Sequence, residues 1–280
     1  MILMEKYNEF KYKVISETKD GKTKQLYWNI AFGLQDVDNI KPSEYMLQLA
    51  KENVEGKKTY TEVYKQIDSY YKASTHINSD EREADIVSAR IVQMLSSPTF
   101  RFDYNTLKLY HKHLFDGVDI LVSQKYIGNF RDYNITKSEP ILDGDTVLYS
   151  DFSMIEDTLR YDFEEEKNQN YTEMSREDIL KRLATFTSRI WQVHPFGEGN
   201  TRTTALFIQK YITYLGLKDM NNELFKDNSK YFRNALVRAN YINIPKKINE
   251  NDEYLIKFFS NLLYKTDYQL DNADLDIKEK

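Results

Sequence analysis

Residues 194–204 read HPFGEGNTRTT, and this stretch decides how the rest of the chain is interpreted. Within eleven residues it combines an imidazole, a carboxylate, two glycines, an amide, a guanidinium and three hydroxyls. Each residue alone has an ordinary structural explanation, such as a helix cap, a buried aromatic ring or a surface ion pair. All of them together, in this order, favour a reaction centre.

Helical periodicity on both sides places this stretch in a loop between two buried helices. Apolar residues recur at three- and four-residue steps in residues 175–193 and again in residues 204–217. Pro195 prevents the first helix from continuing smoothly through His194, because proline disfavours helical geometry in its predecessor. We therefore expect the second helix to begin near Asn200.

The loop carries the chemical groups of a phosphate-binding site with a base beside it. Gly197 and Gly199 let backbone N–H groups approach an anion, and the start of the next helix adds free donors. Arg202 has a planar fork that suits a second phosphate. A carboxylate beside an anion is unfavourable unless a cation lies between them, so Glu198 predicts Mg²⁺ bound to phosphate oxygens. Since imidazole titrates near neutral pH, His194 is the predicted base for attack by a hydroxyl on a nucleotide phosphate.

The remaining chain of 280 residues predicts a mainly helical protein. Glycine (9) and proline (5) are scarce, and helical spacing recurs in residues 43–53, 59–74, 81–95 and 253–265. Two short apolar runs flank Asp143-Gly144 in SEPILDGDTVLY, residues 138–149, which is typical of a two-stranded hairpin. The polar, acidic segment at 267–280 is predicted to be a frayed tail. The expected fold class is all-α with one short β-hairpin.

Composition excludes several classes of protein. Hydrophobic residues make up 41% of the chain and aromatic residues 14%, which is enough for a packed core. The net charge of −5 argues against a nucleic-acid binder, which needs a basic surface. The absence of cysteine excludes disulfides and zinc–thiolate sites. Without a signal-peptide pattern in MILMEKYNEF or an apolar run of membrane-spanning length, we expect a cytoplasmic protein with no membrane partner.

The loop resembles the motif of the Fic family, which reads His-x-Phe-x-Asp/Glu-Gly-Asn-Gly-Arg-x-x-Arg. The residues that match in register are His194, Phe196, Glu198, Gly199, Asn200 and Arg202. Upstream, LKLYHKHLFDGV (107–118) and YIGNFRDYNIT (126–136) resemble the family's opening helix and the approach to its flap. The resemblance implies a Fic-type helical bundle over residues 101–266, a helical extension over residues 1–100 that regulates or binds targets, and a polar tail over residues 267–280.

Most characterised members of this family transfer AMP from ATP to a Ser, Thr or Tyr hydroxyl of a target protein. The resemblance implies that His194 deprotonates the hydroxyl, Glu198 holds Mg²⁺ and Phe196 anchors the loop in the core. The phosphate contacts are then expected from Gly197, Gly199, Asn200, Thr201 and Arg202.

Two further regions acquire roles from the resemblance. A hairpin flap would align the target segment by adding a strand to it, and its tip comprises Ile141, Leu142, Asp143 and Gly144. Residues 230–241 lie where family members line the adenine pocket, with Tyr231 and Asn240 as the candidate lining residues.

Two positions depart from the family motif. Thr201 replaces the second glycine, which a helix start tolerates. Ala205 replaces the final arginine, which in the family contacts the γ-phosphate region and clasps an inhibitory glutamate from a Ser/Thr-x-x-x-Glu-Gly/Asn helix. The segment from Ser79 to Glu83 has this spacing but continues with Ala84. We therefore expect an enzyme that the usual glutamate does not restrain and that also modifies itself.

The leading hypothesis is a protein adenylyltransferase that uses ATP with Mg²⁺ and acts on an exposed hydroxyl of a target protein. Two alternatives stay open at this point: a protein kinase of the Doc type, in which the nucleotide binds inverted, and a non-catalytic nucleotide-binding adaptor. The sequence leaves the target's identity and homo-oligomer formation open.

Overall fold

The protein was analysed as a computed structural model that describes residues 19–74, 77–120, 122–217, 220–221 and 223–278. Residues 1–18 of the predicted extension, including the segment inspected for a signal peptide, lie outside this described part. Within it the chain forms ten α-helices joined by loops and short 3₁₀ turns, with one isolated β-bridge between Asn243 and Ile248. The predicted all-α class is confirmed. No helix of the described part combines the length and apolar character needed to cross a membrane.

The helices follow in chain order as α1 (Lys19–Gln35), α2 (Glu44–Val54), α3 (Tyr60–Ala73), α4 (Ser79–Ser96), α5 (Asn105–Phe115), α6 (Ile155–Lys167), α7 (Arg176–Val193), α8 (Asn200–Tyr214), α9 (Leu224–Ala239) and α10 (Glu253–Tyr264). Their starts have local causes. Thr59 and Glu62 form a complete capping box at α3, and the Ser175 hydroxyl accepts from the Asp178 N–H at α7.

The N-terminal helices share one core with the rest of the chain. Helix α1 packs against both α4 and α9. The contact with α9 is close at Gly33, where a Cβ would lie 2.4 Å from the Lys226 Cα. The buried carboxylate of Asp85 in α4 connects α2, α3 and α4. It accepts from the backbone N–H and the hydroxyl of Ser43, the residue that caps α2. It also accepts from the Tyr71 hydroxyl of α3. This packing places α1 and α4 beside the start of α8.

Helix α8 lies at the centre of the molecule. Its residues from Asn200 to Ile212 are all buried, and aromatic rings surround its middle, with Phe102 and Phe163 packed on Phe207. Since a buried helix cannot shift without disturbing close-packed neighbours, its first turn has a fixed position. The HPFGEGN loop, residues 194–200, connects this first turn to the end of α7.

The prediction of a two-stranded ribbon at residues 138–149 is wrong. The chain does reverse at Asp143 and Gly144, which have φ values of 57° and 84°, but Pro140–Leu142 forms a 3₁₀ turn in place of a strand. The Glu139 N–H donates to the Asp145 carbonyl at 2.9 Å and closes the reversal. Proline has no N–H for a strand ladder, which explains the short turn. We call residues 137–146 the hairpin loop.

The prediction of a frayed tail is also wrong for the described residues up to Lys278. Leu275 is fully buried, and the Ile277 N–H donates to the Ile141 carbonyl of the hairpin loop at 3.0 Å. Lys278 pairs with Asp143 at 2.9 Å. One leucine that enters the core therefore fixes a segment whose composition is otherwise polar.

Candidate active site

His194 caps the C-terminal end of α7, and its ring contacts Tyr149 and the Trp191 carbonyl. Its φ of 47° is left-handed, a conformation that is common at helix C-termini but uncommon for a residue other than glycine. The ring packs against Tyr149, with centroids 4.2 Å apart, and Nδ1 lies 3.2 Å from the Trp191 carbonyl. Because a carbonyl only accepts, the neutral ring carries its proton on Nδ1 and leaves Nε2 as the acceptor.

Burial keeps this imidazole neutral at physiological pH. His194 is only 7% exposed, and desolvation, assisted by the nearby positive charge of Lys137, lowers its pKa to about 3. The group is therefore a proton acceptor over the whole physiological range. The sequence predicted that His194 lies at the end of the helix, and this prediction is confirmed.

His194 lines a small recess together with Lys137, Glu198 and Arg233. The same three partners also line a larger cleft of about 790 Å³, which is bounded by residues 37–40 after α1, the start of α4, the hairpin loop and α9. The recess thus lies at the edge of the cleft. Lys137 and Arg233 were missed by sequence reasoning because nothing in their local pattern distinguishes them from ordinary surface cations.

The HPFGEGN loop is closed by the side chain of its last residue. The Asn200 Oδ1 accepts from the Phe196 N–H at 2.9 Å, and its Nδ2 donates to the Phe196 carbonyl at 2.7 Å. In this structure the Asn200 amide is satisfied within the loop, so the predicted phosphate contact of this residue would come from its backbone N–H. Thr201 is similarly occupied, because its hydroxyl accepts from the Trp191 ring N–H at 3.0 Å.

The backbone of the first turn of α8 retains the properties of an anion site. The first helical bond is donated by Thr203 to the Gly199 carbonyl, so the N–H groups of residues 200–202 have no acceptor within the helix. Gly199 has a φ of 72°, and a Cβ there would lie 2.4 Å from the Phe115 ring, so only glycine fits. Gly197 lines neither the recess nor the cleft. A Cβ at that position would lie 2.5 Å from the Tyr133 hydroxyl, so close packing explains this glycine.

Glu198 is the carboxylate available to a cation. It is half-buried and accepts from the Gly199 N–H at 3.0 Å, and no lysine or arginine of the described part lies within ion-pair distance of it. The described residues contain no cluster of three or more His, Cys, Asp or Glu side chains that could enclose a metal. A single carboxylate beside an anion-binding helix start fits Mg²⁺ that takes its other ligands from phosphate and water.

His111 supports this loop from α5. Its Nε2 lies 3.0 Å from the Glu198 carbonyl, and its Nδ1 accepts from the Gly128 N–H at 2.9 Å. The ring stacks on Phe196 with centroids 3.9 Å apart. Burial lowers the pKa of His111 to about 4, so the ring is neutral and its Nε2 proton is donated to the loop. His113 lies on the exposed side of α5.

Arg131 clamps the other end of the loop. Its Nε donates to the His194 carbonyl at 2.8 Å, and its Nη2 donates to the Val193 carbonyl at 3.2 Å. The Arg131 N–H also donates to the Pro195 carbonyl at 2.9 Å. The guanidinium therefore satisfies the last carbonyls of α7, which a helix end leaves without partners. The only sequence signal for this role was the position of Arg131 in YIGNFRDYNIT.

Arg202 does not face open solvent as a free phosphate ligand. It is 1% exposed, with Nη2 at 2.6 Å from Glu83 Oε1 and Nε at 2.9 Å from Asp38 Oδ2, while Nη1 donates to Gln35 at 3.0 Å. Glu83, the last residue of segment 79–83, contacts Arg202, whereas the expectation that the usual glutamate does not restrain the enzyme stays a prediction. The carboxylate reaches the first arginine of the motif, so Ala205 does not prevent the contact. Burial raises the pKa of Glu83, and the positive charge of Arg202 opposes that rise.

The helix after the motif faces the cleft, but with residues other than those predicted. Lys230, Arg233 and Asn234 share one face of α9 and line the cleft. Tyr231 is 1% exposed and lies in the core, while Asn240 caps the end of α9 and bonds to Ser188 and Leu236. Neither residue lines the cleft, so their positions do not support the assignment of Tyr231 and Asn240 to an adenine pocket.

The hairpin loop contributes one side to the cleft. Ile141 lines it, Leu142 is fully buried, and Asp143 and Gly144 are exposed at the turn. Glu139 is buried at the base of the loop and pairs with Arg233 of α9 at 2.6 Å. This ion pair connects the hairpin loop to the recess beside His194.

Residues 101–212 match the Fic/DOC family. The chain therefore contains a Fic domain, and the match covers α5 to α8 with the HPFGEGN loop and the hairpin loop. No curated protein matches the chain.

The support that His111 gives to the loop can be tested with His111→Phe. The ring contact with Phe196 is retained in this variant, but the Glu198 carbonyl and the Gly128 N–H lose their partner. We expect a loss of unfolding free energy of about 2 kcal/mol, the magnitude for unsatisfied buried groups, together with faster hydrogen exchange at Gly128. Chemical denaturation measures the first effect, and His113→Phe is the matched control. Equal stability of the two variants would contradict the assigned role.

Proposed function

We propose that this protein is an adenylyltransferase that moves AMP from ATP to a hydroxyl of a target protein. One observation carries the proposal: a neutral imidazole with a free Nε2 lines the same recess as the Glu198 carboxylate and the start of α8. A base, a cation ligand and an anion-binding helix start are the parts that such a transfer needs. The cytoplasm, where ATP is present, is the proposed compartment.

The reaction is expected to start with His194. Its Nε2 accepts the proton of the target hydroxyl while the hydroxyl oxygen attacks the α-phosphorus. The bond from this phosphorus to the bridging oxygen of the β-phosphate breaks, and pyrophosphate leaves. Glu198 would hold Mg²⁺, which when bound neutralises phosphate charge and stabilises the leaving group. The backbone N–H groups of residues 200–202 would bind the phosphate oxygens.

The cations and the size of the cleft support a nucleotide ligand. Lys137, Lys230 and Arg233 line it together with Arg202, and of the five carboxylates in the lining, Asp38 and Glu83 pair with Arg202 and Asp119 pairs with Arg82. Its volume of about 790 Å³ lies within the usual range for small-molecule sites. The predicted phosphate contact of Arg202 requires this side chain to exchange Glu83 or Asp38 for an oxygen of the triphosphate. ATP binding and the Glu83–Arg202 contact are therefore expected to compete.

The target segment is proposed to lie along the hairpin loop. This loop has no regular strands, but it offers backbone N–H and C=O groups that can pair with an extended peptide. The Ile141 carbonyl already accepts from Ile277 of the C-terminal segment. A target strand must therefore use the remaining backbone groups of the loop or displace that segment.

The assignment of His194 is tested by transfer of label from ATP to protein. His194→Ala is expected to lower the rate by roughly 10²–10⁴-fold, the range for a lost general base, with an unchanged circular dichroism spectrum. His113→Ala is the matched control. Label is expected from α-labelled ATP and not from γ-labelled ATP.

The same experiment separates the alternatives. Label from γ-labelled ATP alone would establish phosphotransfer of the Doc type and contradict AMP transfer. Equilibrium binding of ATP without transfer of either label, to the protein itself or to lysate proteins, would establish a non-catalytic adaptor.

The competition at Arg202 is tested with Glu83→Gln. Removal of this negative charge frees one side of the Arg202 guanidinium for phosphate. The rate of AMP transfer at subsaturating ATP is therefore expected to rise about tenfold, which corresponds to the free energy of one charge-assisted hydrogen bond. Glu81→Gln, an exposed change on the same helix, is the control. An unchanged or lower rate in Glu83→Gln would show that the ion pair supports the site without restraining it.

A further inference from the structure

A second cavity is lined in part by Asp143 at the turn of the hairpin loop and shares no lining residue with the cleft or the recess. Its volume is about 640 Å³. The ionisable residues that line it are Arg238, Lys246, Lys247, Lys278, Asp143 and Glu250. We call it the basic cavity.

Arg238 is a buried cation for which the described residues provide no ion-pair partner. It is 4% exposed, and its Nε and Nη1 are buried with no hydrogen-bond acceptor among those residues. Desolvation lowers its pKa, and the neighbours that oppose this effect are two tyrosines, Tyr254 and Tyr241, and not a carboxylate. Burying an unpaired guanidinium is strongly unfavourable, so the fold gains stability from any anion that reaches these nitrogens.

Lys246 and Lys247 are held beside it by a tight turn. The Asn243 N–H donates to the Ile248 carbonyl at 2.9 Å, and the Ile248 N–H returns a bond of 3.0 Å. Lys247 has a φ of 55°, and the Asn243 side chain donates to Asp145 of the hairpin loop at 3.1 Å. The turn therefore presents two exposed lysines at a defined place on the rim of the cavity.

The acidic residues of the cavity do not balance these cations. Asp143 is paired with Lys278 at 2.9 Å, and Glu250 makes no ion pair with a described residue. Apart from this pair, the described residues that line the cavity carry three positive charges, on Arg238, Lys246 and Lys247, and one negative charge, on Glu250. The cavity consequently has an excess of positive charge in a chain whose net charge is −5.

We propose that the basic cavity binds a small organic phosphate, with the guanidinium of Arg238 as the buried anchor and Lys246 and Lys247 at its rim. The planar fork of arginine matches phosphate oxygens, and lysine adds mobile positive charge. The volume exceeds that of one phosphate group and leaves room for an organic part. The site is separate from the proposed catalytic chemistry and does not depend on it.

The proposal is tested by isothermal titration of the full chain with inorganic phosphate and with glycerol 3-phosphate, at constant ionic strength. We expect both to bind, with the organic phosphate tighter because it fills more of the cavity. Arg238→Met, which retains the apolar stem, is expected to weaken binding at least tenfold. Thermal unfolding adds a second readout, because a ligand that binds the folded state raises Tm in the wild type and less in the variant.

Controls separate this site from others. Lys246→Gln with Lys247→Gln changes only exposed residues and should also weaken binding at least tenfold, which keeps the test decisive if Arg238→Met fails to fold. Lys65→Gln, on the exposed side of α3, should have no effect.

A loss of binding in Lys230→Gln, which alters the cleft, would assign the phosphate to the cleft and overturn the proposal. Undetectable binding of both phosphates, or binding that the double lysine variant retains, would overturn it as well. Binding of inorganic phosphate as tight as that of glycerol 3-phosphate would overturn the assignment to an organic phosphate.

Discussion

The site depends on the way the HPFGEGN loop is closed against α5, α7 and α8. The Asn200 side chain makes two bonds to Phe196, His111 holds the Glu198 carbonyl, and Arg131 holds the carbonyls at the end of α7. These bonds satisfy backbone groups that a tight, buried loop would otherwise leave without partners. Because the loop is fixed, the N–H groups at the start of α8 and the ring of His194 have defined positions before any ligand arrives. Preorganisation of this kind is the main source of electrostatic stabilisation in enzymes.

The same burial that fixes the loop also determines the protonation of its base. An exposed imidazole would be partly protonated near pH 6.5, whereas the pKa of His194 is lowered to about 3. The bond of Nδ1 to the Trp191 carbonyl then selects the tautomer in which Nε2 accepts. One hydrogen bond and one buried position therefore give the residue both the charge state and the orientation of a general base.

Much of the fold and of the site could be predicted from sequence, because local rules act there. Periodicity and proline geometry located the end of α7 and the start of α8, and scarce glycine and proline indicated a helical protein. The errors concern tertiary context. Asn200 and Thr201 have the residue types of phosphate ligands, but buried neighbours occupy their side chains. The pattern around Asp143 and Gly144 predicted the reversal correctly and the strands wrongly.

Other features had almost no local signal. Glu83 reaches Arg202 only because α1 and α4 pack beside α8, and the 3₁₀ turn that contains Leu275 is positioned by its contact with α9. Sequence placed α9 after the motif but could not show which of its faces lines the cleft, and Tyr231 and Asn240 lie off that face. A sequence constrains side-chain type at each position, but the packing of distant helices decides which side chain meets which.

The central claim is that His194 is neutral, with its proton on Nδ1 and a free Nε2. Nitrogen NMR of protein with labelled histidine tests it directly, with His194→Ala used to assign the signals. The structure predicts a protonated Nδ1 and an unprotonated Nε2 from pH 8 down to at least pH 5. A proton on Nε2 at neutral pH, or titration of this ring near pH 6.5, would contradict the account.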